Sequence, residues 1–305
     1  MTSLRLSTLA LFGALCASHE VRAQGGGAPR AHTATSSVSI LADKFPMPDL
    51  LRDRRVWIYL PPDYKTSTKR YPVIYMHDGQ NVFDAATSFV GEWGVDETLD
   101  SLQQAGDWGA IVVAIDNDGK HRLDEYNPWK HTDPKYGGGE GDLYLDFITY
   151  RLKPYIDRTY RTRPDRMNTA IVGSSLGGLI SLYAVLRYPA VYGKAGVLSG
   201  ALWIADPMIY AMAQNARPLF PKPSIYFVAG DSETADGSQV RDQTRMLGAL
   251  VRAGFPLDTS VKAVASKDGK HSEWFWRREF PAAYQWLFPA TGVDSTMLRA
   301  RAKSP

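Results

Sequence analysis

Seven short apolar runs recur along the chain between residues 54 and 265. They are rich in β-branched and aromatic residues, and they read RRVWIYL, YPVIYM, AIVVAI, NTAIVG, KAGVLS, SIYFVAG and TSVKAVA. Several runs are apolar at consecutive positions, a pattern typical of strands that are covered on both faces of a sheet. We therefore expect these runs to form the strands of one central sheet.

Segments with helical spacing separate these runs. Apolar residues recur every three or four positions in five segments, namely 96–104, 143–160, 178–187, 240–253 and 273–286. Strands that alternate with helices predict an α/β fold, with a mostly parallel central sheet and helices on both faces. In such sheets, catalytic and binding groups collect in the loops at the carboxyl ends of the strands.

Length and composition predict one main domain with short extensions. A chain of 305 residues with 44% hydrophobic content can bury one large core, and we place this domain at residues 39–290. Residues 24–38 are rich in glycine, serine and threonine, which predicts a disordered leader. Residues 291–305 carry several basic side chains and predict a flexible C-terminal tail.

Residues 1–23 have the pattern of an export signal. Arg5 precedes a short apolar run, and the segment ends in Val21-Arg22-Ala23, with small side chains at the positions that a signal peptidase reads. The run is much shorter than the roughly 20 residues that span a bilayer, so no membrane anchor is expected. We expect the protein to be exported by a bacterium, to the periplasm or the medium.

Charge and cysteine content exclude some classes of partner. The 35 basic and 32 acidic residues are interspersed and give a net charge of +3, so no nucleic-acid partner is expected. Cys16 is the only cysteine and lies in the predicted signal, so the mature chain folds without disulfides. The sequence gives no indication of the oligomeric state.

The stretch VGSSLGGL, residues 172–179, predicts a catalytic nucleophile. Gly173, Ser175 and Gly177 match the G-x-S-x-G nucleophile elbow, in which a strand turns sharply into a helix and exposes the central serine. A predicted strand precedes this stretch and a predicted helix follows it, as the motif requires. Ser175 is the candidate nucleophile, and Ser174 is its structural neighbour.

A serine nucleophile needs an imidazole base and a carboxylate that orients the base. In this fold the chain order is serine, acid, histidine, and His271 is the only one of six histidines that follows Ser175. Three acidic residues follow the run SIYFVAG. We favour Glu233 as the acid, with Asp231 as the alternative, because an aspartate beside a glycine often shapes a turn through the backbone.

Further loops supply candidates for the oxyanion hole and for substrate binding. The oxyanion hole needs two backbone N–H groups, which we assign to Leu176 and Gln80. His77 is interpreted as a hydrogen-bonded support for the Gln80 loop. Three aromatic residues follow strands and could face a sugar or a phenolic acid, namely Tyr126, Trp129 and Trp203.

The chain resembles a family of esterases within the α/β-hydrolase superfamily. This family includes enterochelin esterases, feruloyl and acetylxylan esterases of carbohydrate esterase family one, and esterase D. The resemblance covers nearly all of residues 40–290 and rests on motifs such as VWIYLPPDY, YPVIYMHDGQNVFD, GSSLGGLISLYAVLRYP, VLSGALW and DGKHSEWFWRREF. It implies Ser175 as the nucleophile, His271 as the base and Glu233 as the acid, although some members have no carboxylate there. It also implies an internal pair between Arg122 and Glu125 beside the active site.

These observations predict an exported serine esterase that forms an acyl-enzyme on Ser175. The expected substrate is a small-molecule or glycan ester, in particular a feruloyl or acetyl ester of a carbohydrate. The alternatives are a siderophore trilactone substrate, acyl transfer on the same fold, and a non-enzymatic carbohydrate-binding protein. The chemistry requires neither a metal nor an organic cofactor. The stretch DNDGKHRLDE, residues 116–125, matches several ligand positions of an EF-hand calcium loop. The first ligand position of that loop would fall on Ala114, which has no side-chain oxygen, so the stretch is a poor ligand set for calcium.

Overall fold

The computed structural model describes residues 30–289, and its core element is a sheet of eight strands. The strands are β1 (Val38–Met47), β2 (Arg52–Tyr59), β3 (Val73–His77), β4 (Ile111–Ile115), β5 (Thr169–Ser174), β6 (Lys194–Leu198), β7 (Ser224–Gly230) and β8 (Val261–Ser266). Their order across the sheet is β1-β2-β4-β3-β5-β6-β7-β8. The pairs β1/β2 and β2/β4 are antiparallel, and all other neighbours are parallel. The seven strands predicted from apolar runs are confirmed.

Helices cover both faces of this sheet. They are α1 (Val95–Gln104), α2 (Arg122–Glu125), α3 (Gly141–Phe147), α4 (Lys153–Thr159), α5 (Leu176–Arg187), α6 (Met208–Gln214), α7 (Ser238–Arg252) and α8 (Glu273–Leu287). A π-helical turn, Ile148–Leu152, joins α3 to α4. The helical segment predicted at 143–160 is therefore one irregular helix.

The alternation of side chains along the strands produces two core layers. In β3, Val73 and Tyr75 belong to one buried cluster, while Ile74 and Met76 belong to the other. Helices α3 to α7 supply residues to the first cluster, and α1 and α8 supply residues to the second. Because side chains of a strand alternate between faces, a run that is apolar throughout fills both layers. The predicted α/β fold class is confirmed.

The segment before the sheet differs from the prediction of a disordered leader. In the structure, Arg30 Nη1 donates to the carbonyl of Ser88 at 2.9 Å, and the Thr35 N–H donates to Asp96 at 2.7 Å. His32 Nδ1 lies 2.6 Å from Asp84, a carboxylate that is almost fully buried. The polar composition suggested solvent exposure, but these polar groups are partners of carboxylates and carbonyls in residues 84–96. The leader therefore cannot extend to residue 38.

The predicted signal at 1–23 and the predicted tail at 291–305 lie outside the described residues. Across residues 30–289, no helix combines the length and the apolar character that a membrane span requires.

Candidate active site

Ser175 lies in the turn between β5 and α5 and has an unusual backbone conformation. Its φ is 55° and its ψ is −121°, a region that side chains with a Cβ rarely adopt. The turn is so tight that a Cβ at Gly173 would lie 2.7 Å from the backbone of Gly177. Ser175 is partly exposed, whereas Ser174 is 4% exposed. This geometry presents Ser175, and not Ser174, at the carboxyl edge of the sheet.

The loops after β7 and β8 bring an acid and an imidazole together. His271 Nδ1 lies 2.8 Å from Glu233 Oε2. The Glu233 side chain is 1% exposed and that of His271 is 41% exposed. A carboxylate accepts hydrogen bonds, so the contact holds the proton on Nδ1 and leaves Nε2 as the basic nitrogen.

The other candidate acid has a different set of contacts. Asp231 Oδ1 accepts the backbone N–H of Asp268 at 2.9 Å and the Ser232 hydroxyl at 2.9 Å. Asp231 therefore shapes the two loops, the role that the sequence suggested as its alternative. Of these two carboxylates, Glu233 is the one that contacts the imidazole.

A close approach of two glycines brings the loop after β7 against the loop after β8. A Cβ at Gly230 would lie 2.2 Å from the carbonyl oxygen of Gly269, so no other residue type fits there without movement of the backbone. The Ser232 N–H also donates to the Gly269 carbonyl at 3.1 Å. The distance between Glu233 and His271 thus depends on these two glycines.

The elbow and the imidazole follow the carboxyl ends of two parallel strands, β5 and β8, and are not hydrogen-bonded to each other. Within residues 30–289 the hydrogen bond of the imidazole runs from Nδ1 to Glu233, and none joins its Nε2 to the Ser175 hydroxyl. In ligand-free enzymes such bonds are often long and shorten when substrate binds.

Two backbone N–H groups are available beside Ser175 for an oxyanion. In the described part of the chain, neither the Gln80 N–H nor the Leu176 N–H donates to a backbone acceptor. The loops that carry them are adjacent, because a Cβ at Gly177 would lie 3.2 Å from the Cβ of His77. An N–H at the start of a helix, such as that of Leu176, also lies at the positive end of the helix dipole.

A network of ionic and polar contacts fixes the Gln80 loop. Asp78, with a left-handed φ of 56°, receives Arg122 Nε at 2.7 Å and Arg122 Nη2 at 2.8 Å. Glu125 instead contacts Arg52 at 2.8 Å and also Arg54. The ionic contacts of Arg122 and Glu125 described here thus join each residue to another element, Arg122 to the Gln80 loop and Glu125 to β2.

His77 lies beneath the same loop and is neutral. Its Nδ1 lies 2.8 Å from the Tyr144 hydroxyl, and burial lowers the pKa of His77 to about 3. A charged imidazolium would lose its hydration there without a compensating carboxylate contact. His77 therefore supports the loop, as the sequence indicated.

The three aromatic residues proposed for substrate binding have different environments. Tyr126 is 0% exposed, and its hydroxyl accepts the N–H of Asp78 at 3.1 Å, so its assignment to substrate contact is wrong. Trp129 is partly buried and packs edge-on against Tyr183 with ring centroids 5.1 Å apart. Trp203 is 43% exposed and packs edge-on against Tyr136 at 5.2 Å.

A cleft beside His271 has no signature in the sequence. Its volume is about 470 Å³, and its lining includes Val90, Trp274 and Arg277. Phe89 and Val90 are about two-thirds exposed, at 66% and 65%. They lie in a loop without a catalytic motif, and only the fold places this loop against the imidazole.

The parallel sheet, the elbow at the end of β5 and the order of the site residues are those of an α/β hydrolase. The model of the esterase family described as "Putative esterase" matches residues 48–287. The chain therefore belongs to this esterase family, and it is a carboxylic-ester hydrolase.

Similar proteins include esterases of two kinds. The Bacillus subtilis protein YbbA is 28% identical in an alignment 249 positions long, which covers 77% of this chain and 93% of YbbA. The endo-1,4-beta-xylanase/feruloyl esterase of Xylanibacter ruminicola is 27% identical over 76% of this chain, and the match spans 29% of that longer protein. The ferri-bacillibactin esterase BesA of Bacillus subtilis is 28% identical over 58% of this chain and 65% of BesA.

Solved structures show the same fold. A ferulic acid esterase aligns over 82% of this chain and 99% of its own, with a TM-score of 0.61 and 19% identity. The enterobactin esterase FES of Shigella flexneri aligns over 86% of this chain and 61% of its own, with a TM-score of 0.63 and 21% identity. At these identities the likeness concerns the fold alone.

Proposed function

We propose that the protein hydrolyses esters through a covalent acyl-enzyme on Ser175, with His271 as the base and Glu233 as the orienting acid. The observation that carries this proposal is the 2.8 Å contact between His271 and Glu233, at the same sheet edge as the strained Ser175 turn. A buried carboxylate that holds Nδ1 leaves the opposite nitrogen for proton transfer, which is the arrangement of a serine hydrolase.

The reaction follows from these positions in two halves. His271 Nε2 takes the proton from the Ser175 hydroxyl while Oγ bonds to the ester carbonyl carbon, and the carbonyl oxygen becomes an oxyanion. The N–H groups of Leu176 and Gln80 hold this oxyanion, each with a contribution of about 3–4 kcal/mol to the transition state. The imidazolium then gives its proton to the leaving alcohol as the ester C–O bond breaks. A water molecule repeats the sequence and releases the acid.

The walls of the site support an uncharged ester with an aromatic or sugar component. Trp203, which follows β6, packs edge-on against Tyr136 from the segment before α3, and Trp274 lines the cleft beside His271. Arg277, the basic residue in the lining of this cleft, lies 2.9 Å from Glu92. Such paired charges favour a neutral substrate, so we propose a feruloyl or acetyl ester of a carbohydrate. The match to a xylanase/feruloyl esterase agrees with this class.

A siderophore trilactone is the second candidate substrate. It is favoured by the match to the ferri-bacillibactin esterase over 58% of this chain. Its cyclic ester bonds would undergo the same chemistry on Ser175. The two substrate classes differ in charge, because an iron-loaded catecholate siderophore is an anion.

A substrate panel with two serine variants tests the proposal. The panel contains p-nitrophenyl acetate, methyl ferulate, acetylated xylan and enterobactin with and without iron. We expect Ser175→Ala to lower kcat by at least about 10⁴-fold on every substrate that is hydrolysed. Ser174→Ala is the matched control, and it should keep a rate close to that of the wild type. Equal rates for Ser175→Ala and the wild type would contradict the proposal.

A further inference from the structure

Three hydrogen-bond donors contact the carboxylate of Glu233. One of them, the Ser199 hydroxyl, is a side chain outside the proposed triad of Ser175, His271 and Glu233. His271 contacts Oε2, while the Gly230 N–H donates to Oε1 at 2.6 Å and the Ser199 hydroxyl donates to Oε1 at 2.7 Å. The Glu233 side chain is 1% exposed, so water has little access to replace a lost donor. Ser199 is therefore a specific partner of this carboxylate.

The direction of the Ser199 hydroxyl is fixed by its second contact. Trp276 Nε1 lies 2.8 Å from Ser199 Oγ. An indole N–H can only donate, so the hydroxyl oxygen must accept from Trp276, and its own hydrogen is left for Glu233. The hydrogen bonds thus run in one direction, from Trp276 through Ser199 to Glu233.

Trp276 also contacts the base. Its ring lies edge-on to the His271 imidazole, with ring centroids 5.2 Å apart and an interplanar angle of 85°. It belongs to the first turns of α8, is 5% exposed and packs against Trp93 at 5.8 Å. One indole ring therefore touches the imidazole directly and the acid through Ser199.

The backbone at Ser199 indicates that its hydroxyl is needed. Its φ is 48°, in the left-handed region, and the residue is fully buried with its N–H bonded to the Val228 carbonyl at 2.7 Å. Glycine adopts this conformation without a steric cost, whereas serine is strained there. Strain of this kind persists where a side chain has a role that outweighs it.

We propose that Ser199 is a positioning residue for the catalytic acid and that Trp276 sets the direction of its hydroxyl. Ser199 does not act on the Ser175 hydroxyl or on the His271 imidazole directly. Its hydroxyl fixes Glu233 Oε1, so that Glu233 Oε2 faces His271. This inference rests on the proposed function, because it requires Glu233 to act as the acid.

The test compares Ser199→Ala and Ser199→Gly in the full chain with p-nitrophenyl acetate as substrate. Each variant should lower kcat about tenfold with KM unchanged, because a hydrogen bond to a charged group is lost at the reacting centre. Ser199→Gly also relieves the backbone strain, so its Tm should be at least that of Ser199→Ala. Lower activity together with retained stability separates positioning from a structural role.

Two further variants locate the effect. Trp276→Phe keeps an aromatic ring beside His271 and leaves the Ser199 hydroxyl in place, so its loss of kcat should be smaller than that of Ser199→Ala. Glu233→Gln removes the group through which Ser199 acts. The double variant Ser199→Ala/Glu233→Gln should therefore be no slower than Glu233→Gln alone.

The outcomes separate this inference from the proposed function. If Ser175→Ala is inactive but both Ser199 variants keep the kcat of the wild type, the positioning role is overturned and the serine mechanism stands. Losses that multiply in the double variant also overturn it, since Ser199 would then act independently of Glu233. If Ser175→Ala keeps full activity, the proposed function itself fails.

Discussion

At the scale of single residues, backbone strain is concentrated at the site. Six non-glycine residues within 30–289 have a positive φ, and four of them lie in the loops of the candidate site, namely Asp78, Ser175, Ser199 and Asp268; the other two are Leu51 and Asp258. Each costs about 1–2 kcal/mol for a residue with a Cβ. The surrounding hydrogen bonds offset this cost, as at Asp78, where Arg122 binds both carboxylate oxygens. The strain indicates that side-chain direction at these positions outweighs local backbone preference.

Glu233→Gln and Asp231→Asn distinguish the two acids that the sequence left open. Glu233→Gln should lower kcat by about 10²- to 10⁴-fold, because an amide cannot stabilise the imidazolium that forms during the reaction. Asp231→Asn retains an oxygen that can accept the Asp268 N–H, so its kcat should stay within about threefold of the wild type. Steady-state kinetics on p-nitrophenyl acetate provide the measurement. A larger loss in Asp231→Asn than in Glu233→Gln would reverse the assignment of the acid.

At the scale of elements, apolar runs predict most of the strands. Strands β3, β4, β5 and β6 are buried at every position, and continuous apolar runs predict them. Strand β8 is an edge strand with mixed burial, and its run TSVKAVA also predicts it. Strand β1, at the opposite edge, has mixed burial, two irregularities in its register and Pro46 near its end, and the pattern misses it.

The site shows the same division between local and tertiary information. The contact of His271 with Glu233 agrees with the expectation from chain order, since the fold restricts which loops meet at the carboxyl edge. The stretches VLSGALW and DGKHSEWFWRREF contain Ser199 and Trp276 but assign them no role, and only tertiary contacts link these two residues to Glu233. Tyr126 was misassigned because an aromatic residue in a loop looks the same in sequence whether it faces a ligand or the core.

Helix α1 carries a buried carboxylate whose ionisation should affect stability. Asp96 is 0% exposed, and burial together with the neighbouring Glu97 raises the pKa of Asp96 to about 7. The ordinary value for an unfolded chain is about 4. The folded chain thus binds this proton more tightly, and the resulting stabilisation is present at acidic pH and is lost as the pH rises from about 4 to about 7.

Asp96→Asn tests this titration. The amide oxygen can still accept the Thr35 N–H but carries no charge, so above pH 7 the Tm should rise by about 2–4 °C relative to the wild type. At pH 5 the two proteins should differ less. Thermal unfolding at pH 5 and pH 8.5 is the measurement, with the surface variant Asp49→Asn as the control. The gain in Tm of Asp96→Asn over the wild type should be larger at pH 8.5 than at pH 5. A smaller gain at pH 8.5 than at pH 5 would contradict this expectation.

At the scale of the whole molecule, the active site depends on a single folded unit. The loops after β3, β5, β6, β7 and β8 supply Gln80, Ser175, Ser199, Glu233 and His271. Parallel strands place their carboxyl ends at the same edge, so residues that are far apart in the chain become neighbours. No single segment contains all three residues of the proposed triad, and we expect activity and structure to be lost together on unfolding.

We predict that a chain with residues 1–305 is exported from the cytoplasm. Expression of residues 1–305 in a Gram-negative host should yield a periplasmic or secreted protein whose first residue is Gln24, because the segment before it has the pattern of a signal peptide. Leu11→Arg interrupts the apolar run and should leave the unprocessed chain in the cytoplasm. Cell fractionation with N-terminal mass analysis measures both. Unprocessed wild-type protein confined to the cytoplasm would contradict the prediction.

Covalent labelling with diisopropyl fluorophosphate identifies the nucleophile, since this reagent forms a stable bond with an activated serine. We expect one adduct per chain, which fragment-ion mass spectrometry places on Ser175 and not on Ser174. We also expect His271→Ala to react far more slowly. An adduct on another residue, or an unlabelled protein that still hydrolyses esters in the presence of the reagent, would rule out Ser175 as the nucleophile.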